Sequence, residues 1–210
     1  MLFVIILIIF LRIAYLLYKV NFKKTSRHFI TTSKDTKIKT LIFLGSGGHT
    51  AEMLTIIKEL NLHNYTPRYY LISNNDPISE EKLRVLESNN DEYFVKTISR
   101  SRNVNQSFFT SIFTTSYSCV QLIPILFMIK PEIILCNGPG TCVPLCFIQF
   151  IYKICFIHNN CKIIFIESYC RVKTLSLSGK ILLYFVDEFI VQWPQLKNIS
   201  KRIKCFGRLF

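Results

Sequence analysis

The chain has 210 residues and carries 26 Lys and Arg against 13 Asp and Glu, a formal net charge of +13. Half of the residues are hydrophobic and no internal repeat is evident, which excludes a repeat-built chain and allows one domain with a substantial core. The positive surplus requires a polyanionic neighbour, which is nucleic acid, anionic lipid or a phosphorylated substrate.

The N-terminal segment, residues 1–19, is predicted to be a transmembrane anchor. Between Leu2 and Tyr18 the single charged residue is Arg12, and about 17 helical residues at about 1.5 Å each just suffice for a span. A secretory signal is the rival, but no basic region precedes the apolar run and no small-residue cleavage site follows it. A helix lying in the membrane interface stays open, because a cation in mid-membrane is costly unless it finds a partner.

Residues 20–39 are predicted to be a basic juxtamembrane linker. The positive-inside rule places everything after Lys19 in the cytosol. Acidic headgroups account for the basic cluster beside the anchor, so nucleic acid is not expected as a partner. The cations that precede the first predicted strand are Arg12, Lys19, Lys23, Lys24, Arg27, Lys34, Lys37 and Lys39.

Residues 40–210 alternate short β-rich runs with helical patterns, which predicts an α/β domain with a Rossmann-like parallel sheet and crossover helices. A helix is expected after Gly48, with Met53, Leu54, Ile57 and Leu60 on its buried face. The predicted strands are Leu41–Leu44, Arg68–Ile72, Tyr93–Lys96, Ile133–Cys136, Ile163–Ile166, Glu188–Gln192 and Ile203–Phe206.

Two later segments, Cys119–Ile129 and Cys142–Ile157, are hydrophobic enough to suggest further membrane spans. Pro124 and Pro144 interrupt them, and strand-like runs flank both. We therefore predict buried or partly membrane-facing helices of the α/β domain, and an exposed apolar side on either would let the domain lean on the bilayer.

The eight cysteines lie mostly inside apolar runs of a domain assigned to the cytosol, so reduced core thiols are predicted rather than disulfides. The spacing of Cys155, His158 and Cys161 raises the question of zinc. There is no CxxC pair and no obvious fourth ligand, so neither a metal nor another cofactor is expected.

The run Leu41–Leu44 breaks into Gly45–Thr50, with the sequence Gly-Ser-Gly-Gly-His-Thr, and then into a helical pattern. A strand, a tight loop and a helix N-terminus in this order bring backbone N–H groups together and favour a phosphate. A dinucleotide is not expected, because Thr50 replaces the third glycine of the fingerprint and Ile72–Asn74 offers no acidic residue at the end of the second strand.

Other loops follow the predicted strands at the same edge of the sheet, where ligands of doubly wound folds bind. His49 can serve as a general base or as a cation that binds a diphosphate. The alternative is a histidine that only forms a hydrogen bond within its own loop. Arg100 and Arg102 are diphosphate ligands or solvated charges. Glu167 is a strand cap or a carboxylate directed into the cleft.

Several loop motifs stand in a fixed order along the chain. They are Gly45–Thr50, Ser99-Arg100-Ser101-Arg102, Cys136-Asn137-Gly138-Pro139-Gly140-Thr141, Glu167-Ser168 with Arg171–Lys180, and Val191-Gln192-Trp193-Pro194. Together they resemble one family closely: the membrane-anchoring subunit of the endoplasmic-reticulum UDP-N-acetylglucosamine transferase, asparagine-linked glycosylation protein fourteen. The likeness covers nearly everything from Leu41 to Phe210.

This resemblance implies the N-terminal, acceptor-binding half of a GT-B glycosyltransferase, anchored in the endoplasmic-reticulum membrane with its domain in the cytosol. Such a subunit recruits a soluble donor-binding partner of the protein thirteen family, and the pair adds the second N-acetylglucosamine to dolichyl-diphosphate-N-acetylglucosamine. By the same likeness His49 and Glu167 are the catalytic candidates. The implied diphosphate-binding residues are Gly45, Ser46, Gly47, Gly48, Thr50, Arg100, Arg102, Asn137, Gly138, Gly140 and Thr141.

After Trp193 only about one strand of chain remains, which leaves no room for a second βαβ half that holds a nucleotide sugar. Catalysis therefore needs a partner, and the resemblance makes Gly207, Arg208, Leu209 and Phe210 a docking tail rather than a frayed end. Two alternatives stay open: a pure membrane scaffold without substrate contacts, and a complete lipid-phosphate enzyme that turns over alone.

Overall fold

The computed structural model describes residues 2–22, 37–88, 90, 92–102 and 106–209. Helix α1 (Leu2–Phe22) precedes a domain in which strands and helices alternate. The strands are β1 (Thr40–Leu44), β2 (Arg68–Ser73), β3 (Tyr93–Ile98), β4 (Ile133–Asn137), β5 (Lys162–Ile166), β6 (Glu188–Val191) and β7 (Ile203–Cys205). The other helices are α2 (Gly48–Lys58), α3 (Pro77–Leu86), α4 (Phe108–Ile129), α5 (Cys142–Ile154), α6 (Leu177–Leu182) and α7 (Pro194–Lys197).

The seven strands are all parallel and lie in the order β3-β2-β1-β4-β5-β6-β7. The order reverses between β1 and β4, because the chain runs outward from β1 to β3 and then returns to the other edge of β1. In open parallel sheets, ligands bind beyond the carboxyl ends of the strands at such a reversal. The predicted α/β class with a Rossmann-like sheet is confirmed, and the topology directs attention to the loops after β1 and β4.

Helices cover both faces of the sheet. Met53 and Ile57 of α2 pack with Leu83 of α3 against Ile42 and Tyr70 on one face. Helices α4, α5 and α6 build the larger core on the other face. Every residue of β1 is buried, which is why this strand appears in the sequence as an unbroken apolar run.

All seven predicted strands are confirmed, and their ends differ from the prediction by at most two residues. The largest difference is at β3, which continues beyond Lys96 to Ile98. The two apolar segments are helices of the domain, as predicted. Helix α5 is almost wholly buried, whereas α4 begins before the predicted Cys119, contains Pro124 and keeps an exposed apolar side.

Helix α1 and a segment of α4, Phe109–Ile129, are each long and apolar enough to cross a membrane by length and composition. Only the second half of α1 contacts the domain, where it packs on α5 and buries Leu16. Helix α1 ends at Phe22, three residues beyond the predicted anchor, and most of the predicted linker lies outside the described residues. The assignment of residues 1–19 to a membrane span stays a prediction.

The eight cysteines are free thiols. Cys136, Cys142, Cys146 and Cys161 are buried in the core, as the apolar sequence around them predicts. Cys155 and Cys170 are exposed instead, because they lie in loops after α5 and β5. Among the described residues, no three His, Cys, Asp or Glu side chains are grouped so as to hold a metal ion.

Candidate functional site

A pocket of about 260 Å³ opens at the carboxyl edge of the sheet, where the loops after β1, β4 and β5 meet. Its position beside the β1–β4 reversal is the one expected for a ligand in this topology. The lining residues are Gly48, His49, Glu52, Gly138, Glu167, Ser168, Cys170, Arg171 and Ser176. Four of them, Gly48, His49, Gly138 and Glu167, were predicted as site residues.

The imidazole of His49 lies directly against the backbone of the loop after β4. A Cβ atom added at Gly138 would be 2.2 Å from His49 Cε1, and this glycine has a φ of +65°. A Cβ atom at Gly45 would be 2.8 Å from His49 Cβ and 2.7 Å from Pro139 Cγ. Both glycines are therefore needed for the two loops to approach each other and to clamp the histidine ring.

Electrostatics keep His49 neutral near pH 7. Burial lowers the pKa of His49, the Glu52 carboxylate raises it and the Arg171 guanidinium lowers it, with burial the largest influence. His49 Nδ1 is buried without a hydrogen-bond partner and lies 3.9 Å from Glu52 Oε2. The side chain is 34% exposed, so Nε2 is the ring nitrogen that can reach a substrate.

Glu52 connects the three loops of the pocket, and the sequence analysis missed it. Its Oε1 accepts from Ser168 Oγ at 2.8 Å, and its Oε2 accepts from Asn137 Nδ2 at 3.2 Å. Asn137 Nδ2 also donates to the backbone carbonyl of His49 at 3.1 Å. The spacing in the sequence could have identified Glu52, because a residue three positions after His49 on a helix lies on the same side of that helix.

Glu167 lies in the pocket wall and is fully buried. Its Oε1 accepts from the backbone N–H of Ser168, and its Oε2 accepts from both the N–H and the hydroxyl of Ser176. Burial raises the pKa of Glu167, whereas these hydrogen bonds and Arg171 lower it. The carboxylate thus ties together the two ends of the loop 168–176, and its predicted catalytic role stays a prediction.

The N-terminus of α2 faces the pocket without a side-chain cap. Gly47, with φ +63° and ψ −122°, precedes the helix and has no side chain to accept a hydrogen bond from its N–H groups, and Gly48 lines the pocket. The first N–H groups of the helix are therefore available to an anion. Arg171, exposed on the loop after β5, adds a positive charge at the same place.

Several predicted diphosphate residues have other partners. Thr50 is buried with its hydroxyl 2.6 Å from that of Ser79, and Thr141 Oγ1 accepts from the N–H of Ser101 at 3.3 Å. Arg102 donates to the carbonyl of Gln106 in its own loop. Neither Arg102 nor Arg100 lines the pocket, and Arg171 is the arginine among its described lining residues. Ser46, Gly47 and Gly140 lie on the predicted loops but outside the lining.

Comparison with known proteins identifies the family. A profile described as "Oligosaccharide biosynthesis protein Alg14 like" matches residues 40–209. The chain belongs to the Alg14-like family. The resemblance inferred from the loop motifs is confirmed.

Curated relatives of this Alg14-like chain are described as "UDP-N-acetylglucosamine transferase subunit ALG14". The rat protein is 46% identical over 178 residues, which cover 80% of this chain and 82% of its own. The human protein is 40% identical with the same coverage, and the Schizosaccharomyces pombe protein is 41% identical over 80% of this chain and 81% of its own. The family is thus one of glycosyltransferase subunits.

Solved structures extend the fold comparison. MurG of Acinetobacter baumannii superposes with a TM-score of 0.52 at 14% identity over 75% of this chain and 42% of that one. A UDP-GlcNAc 2-epimerase of Neisseria meningitidis gives 0.57 at 19% identity over 82% and 47%. These likenesses show the fold alone, and they confirm the predicted GT-B type of domain. The Alg14-like chain spans about half the length of each neighbour.

The C-terminal segment of the Alg14-like chain runs back across the pocket edge. The guanidinium of Arg208 lies 5.0 Å from the centre of the Tyr169 ring. The Tyr169 and Trp193 ring centres are 5.0 Å apart, with the ring planes at 39° to each other. The N–H of Leu209 donates to Gln192 Oε1, and its half-buried side chain packs on the core of the α2 and α3 face. Phe210 lies outside the described residues. The docking role predicted for Gly207 to Phe210 stays a prediction.

Proposed function

We propose that this chain is the membrane-anchoring, acceptor-binding subunit of an N-acetylglucosaminyltransferase. The complex adds the second N-acetylglucosamine from UDP-N-acetylglucosamine to dolichyl-diphosphate-N-acetylglucosamine. The observation that carries the proposal is the pocket at the β1–β4 reversal, where His49 faces outward beside an uncapped helix N-terminus. Membership in a family of UDP-N-acetylglucosamine transferase subunits supports this sugar.

The acceptor diphosphate would lie at the N-terminus of α2. Backbone N–H groups at a helix start favour an anion, and Gly47 and Gly48 let it come close to the backbone. Arg171 supplies the countercharge on the opposite wall. Gly45, Asn137 and Gly138 would hold the loops after β1 and β4 in contact, and Thr141 would hold the loop after β4 against Ser101.

His49 would act as the general base of the transfer. Its Nδ1 carries the proton toward Glu52, which leaves Nε2 free to take the proton of the acceptor hydroxyl. The hydroxyl oxygen then forms a bond to the anomeric carbon of the donor, and the bond from that carbon to UDP breaks with UDP taking the electron pair. Glu167 would support the step indirectly, by fixing the loop that carries Ser168 and Arg171.

The donor half would come from a soluble partner of the protein thirteen family. The matched fold covers 42% of MurG, and this partial match supports a donor-binding half on a second chain. Helix α1 would anchor the complex in the endoplasmic-reticulum membrane, and the cations after Tyr18 favour a cytosolic domain.

The test is transfer of N-acetylglucosamine to a short prenyl-diphosphate-N-acetylglucosamine, by the chain alone and with its soluble partner. Activity is expected only in the mixture, and His49→Ala should lower it by a factor of about 10² to 10⁴ while the complex still forms. His63→Ala is the matched control, because His63 is exposed and lies outside this pocket.

Each other outcome has a definite meaning. Activity of the isolated chain would contradict the missing donor half and favour a complete enzyme. Full activity of the His49→Ala complex would remove His49 from the reaction. If variants of Arg171 and Glu52 were also silent, the chain would be a pure scaffold for its partner.

A further inference from the structure

The outward side of α4 is mostly apolar, with Thr110 and Ser116 as its exposed polar residues, and none of the described elements covers it. Eight large side chains on this side are between 46% and 73% exposed. They recur every three or four positions and so form one continuous stripe along a helix of 22 residues. The stripe consists of Phe109, Ile112, Phe113, Tyr117, Val120, Ile123, Phe127 and Met128.

Cations lie close to both ends of this stripe, and the nearest acidic residues along the chain are Glu92 and Glu132. The sequence from Tyr93 to Pro131 contains no Asp or Glu and four cations, Lys96, Arg100, Arg102 and Lys130. Arg102 lies near the start of α4, and Lys130 ends the helix with its ammonium 5.6 Å from the Phe127 ring. An apolar stripe with cations at both ends matches an acidic lipid surface. The rim of a protein interface is instead typically polar and mixed.

Contacts of α1 set the distance between the domain and the bilayer. The guanidinium of Arg12 donates to the carbonyl of Lys153 at 3.0 and 3.2 Å and to Asn159 Oδ1 at 2.6 Å, and it lies 4.2 Å from the Phe156 ring. Only Leu2–Leu11, about 15 Å of helix, extends free of the domain. The domain is therefore held against the membrane by packing, whatever the length of the linker 23–36.

Helices α1 and α4 also lie on the same face of the sheet. Helix α5 packs against both of them, and α4, α5 and α6 together cover this face. Helix α4 therefore presents an exposed apolar surface on the face of the sheet where α1 is packed. From this geometry we propose that the stripe on α4 rests in the lipid interface as a second membrane contact, an inference that builds on the proposed anchoring role of α1.

The second contact has a consequence for the pocket. Ser101 lies in the loop between β3 and α4. Its backbone carbonyl accepts from Thr114 Oγ1 of α4 at 2.6 Å, and its N–H donates to Thr141 Oγ1. The start of α4 is thereby joined to the loop after β4 that forms one wall of the pocket. Embedding α4 brings this wall to the membrane surface, where the diphosphate of a lipid-linked acceptor emerges.

Photo-crosslinking in vesicles of phosphatidylcholine and phosphatidylserine tests the proposal. A benzophenone amino acid replaces Phe113 or Phe127 in the full chain, with Phe3 on α1 as the positive control. Val85 on α3 is the matched negative control, because it is 73% exposed on the other face of the sheet. Lipid adducts are expected at 113, 127 and 3, and none at 85.

The outcomes separate this inference from the proposed anchor. Adducts at 3 but not at 113 and 127 would overturn the second contact and leave the anchor intact. Protein adducts at 113 or 127 would replace lipid by a partner chain or a second copy and would also overturn it. Absence of adducts from all positions would overturn anchor and contact together. Circular dichroism of each variant verifies that the substituted chain is folded.

Discussion

His49 and Glu52 are three residues apart on α2, so both side chains leave the same side of the helix close to its N-terminus. Burial lowers the pKa of His49 more than Glu52 raises it. The unprotonated base therefore persists below the ordinary histidine value of 6.5. The acid limb of kcat/KM for transfer should accordingly fall at a pH below that value.

Replacing Glu52 by Gln tests the partnership of these two side chains. The change removes the carboxylate that raises the pKa of His49, so this pKa should fall further. The acid limb of kcat/KM then moves to lower pH, and the plateau drops because a weaker base accepts the proton less readily. The measurements are the pH profile of the complex and the ¹³C resonance of the His49 ring.

Glu59→Gln is the matched control, since it makes the same chemical change at the exposed end of α2. This variant should leave both the acid limb and the plateau of the kcat/KM profile unchanged. An unshifted His49 resonance in Glu52→Gln would show that the carboxylate does not act on the imidazole.

Glu167 and Gly179 meet in the wall of the pocket. A Cβ atom at Gly179 would lie 2.3 Å from Glu167 Oε2, the oxygen that accepts both hydrogen bonds from Ser176. Gly179→Ala should therefore destabilise the chain by about 1 to 3 kcal/mol, because the carboxylate has to leave its donors or the backbone has to shift. Chemical unfolding in detergent measures this loss.

The control is Gly140→Ala, where the added Cβ atom meets nothing within 4 Å. This variant should unfold close to the wild-type midpoint. Equal midpoints for the two variants would mean that the Glu167 contacts contribute little to stability.

The central strands β1 and β4 were predictable because they are buried on both faces and appear as short apolar runs. The edge strand β3 is partly exposed, and its end was predicted two residues too early. The carboxyl ends of parallel strands share one edge of the sheet. The loops that carry His49, Gly138 and Glu167 could therefore be assigned to one site from the sequence alone. These three residues do line one pocket.

Side-chain direction within those elements was not predictable. Thr50 follows His49 directly but points toward Ser79 of α3, whereas Glu52 points into the pocket. Arg171 lies in a loop whose path depends on the buried contacts of Glu167. The packing of α1 on α5 likewise depends on Arg12 meeting a carbonyl more than 100 residues away, which no local pattern records.

The pocket lies at the carboxyl edge of the sheet, and the loops after β1, β4 and β5 line it. The C-terminal segment runs along the same edge, where Arg208 covers Tyr169 beside the pocket loop. A partner that completes the site would meet this segment first.

Arg208→Ala tests whether the C-terminal segment docks the soluble partner. The exposed cation contributes about 0.5 to 1 kcal/mol through its ring contact, so the isolated chain should remain folded. Binding of the soluble partner should weaken by about 1 to 2 kcal/mol, roughly tenfold in Kd, since truncation of an arginine at an interface centre is among the costliest changes.

Lys201→Ala, which removes an exposed cation outside the tail, should leave Kd unchanged. Equal affinities for both variants would place the docking surface elsewhere, and calorimetry of the purified proteins decides between these results.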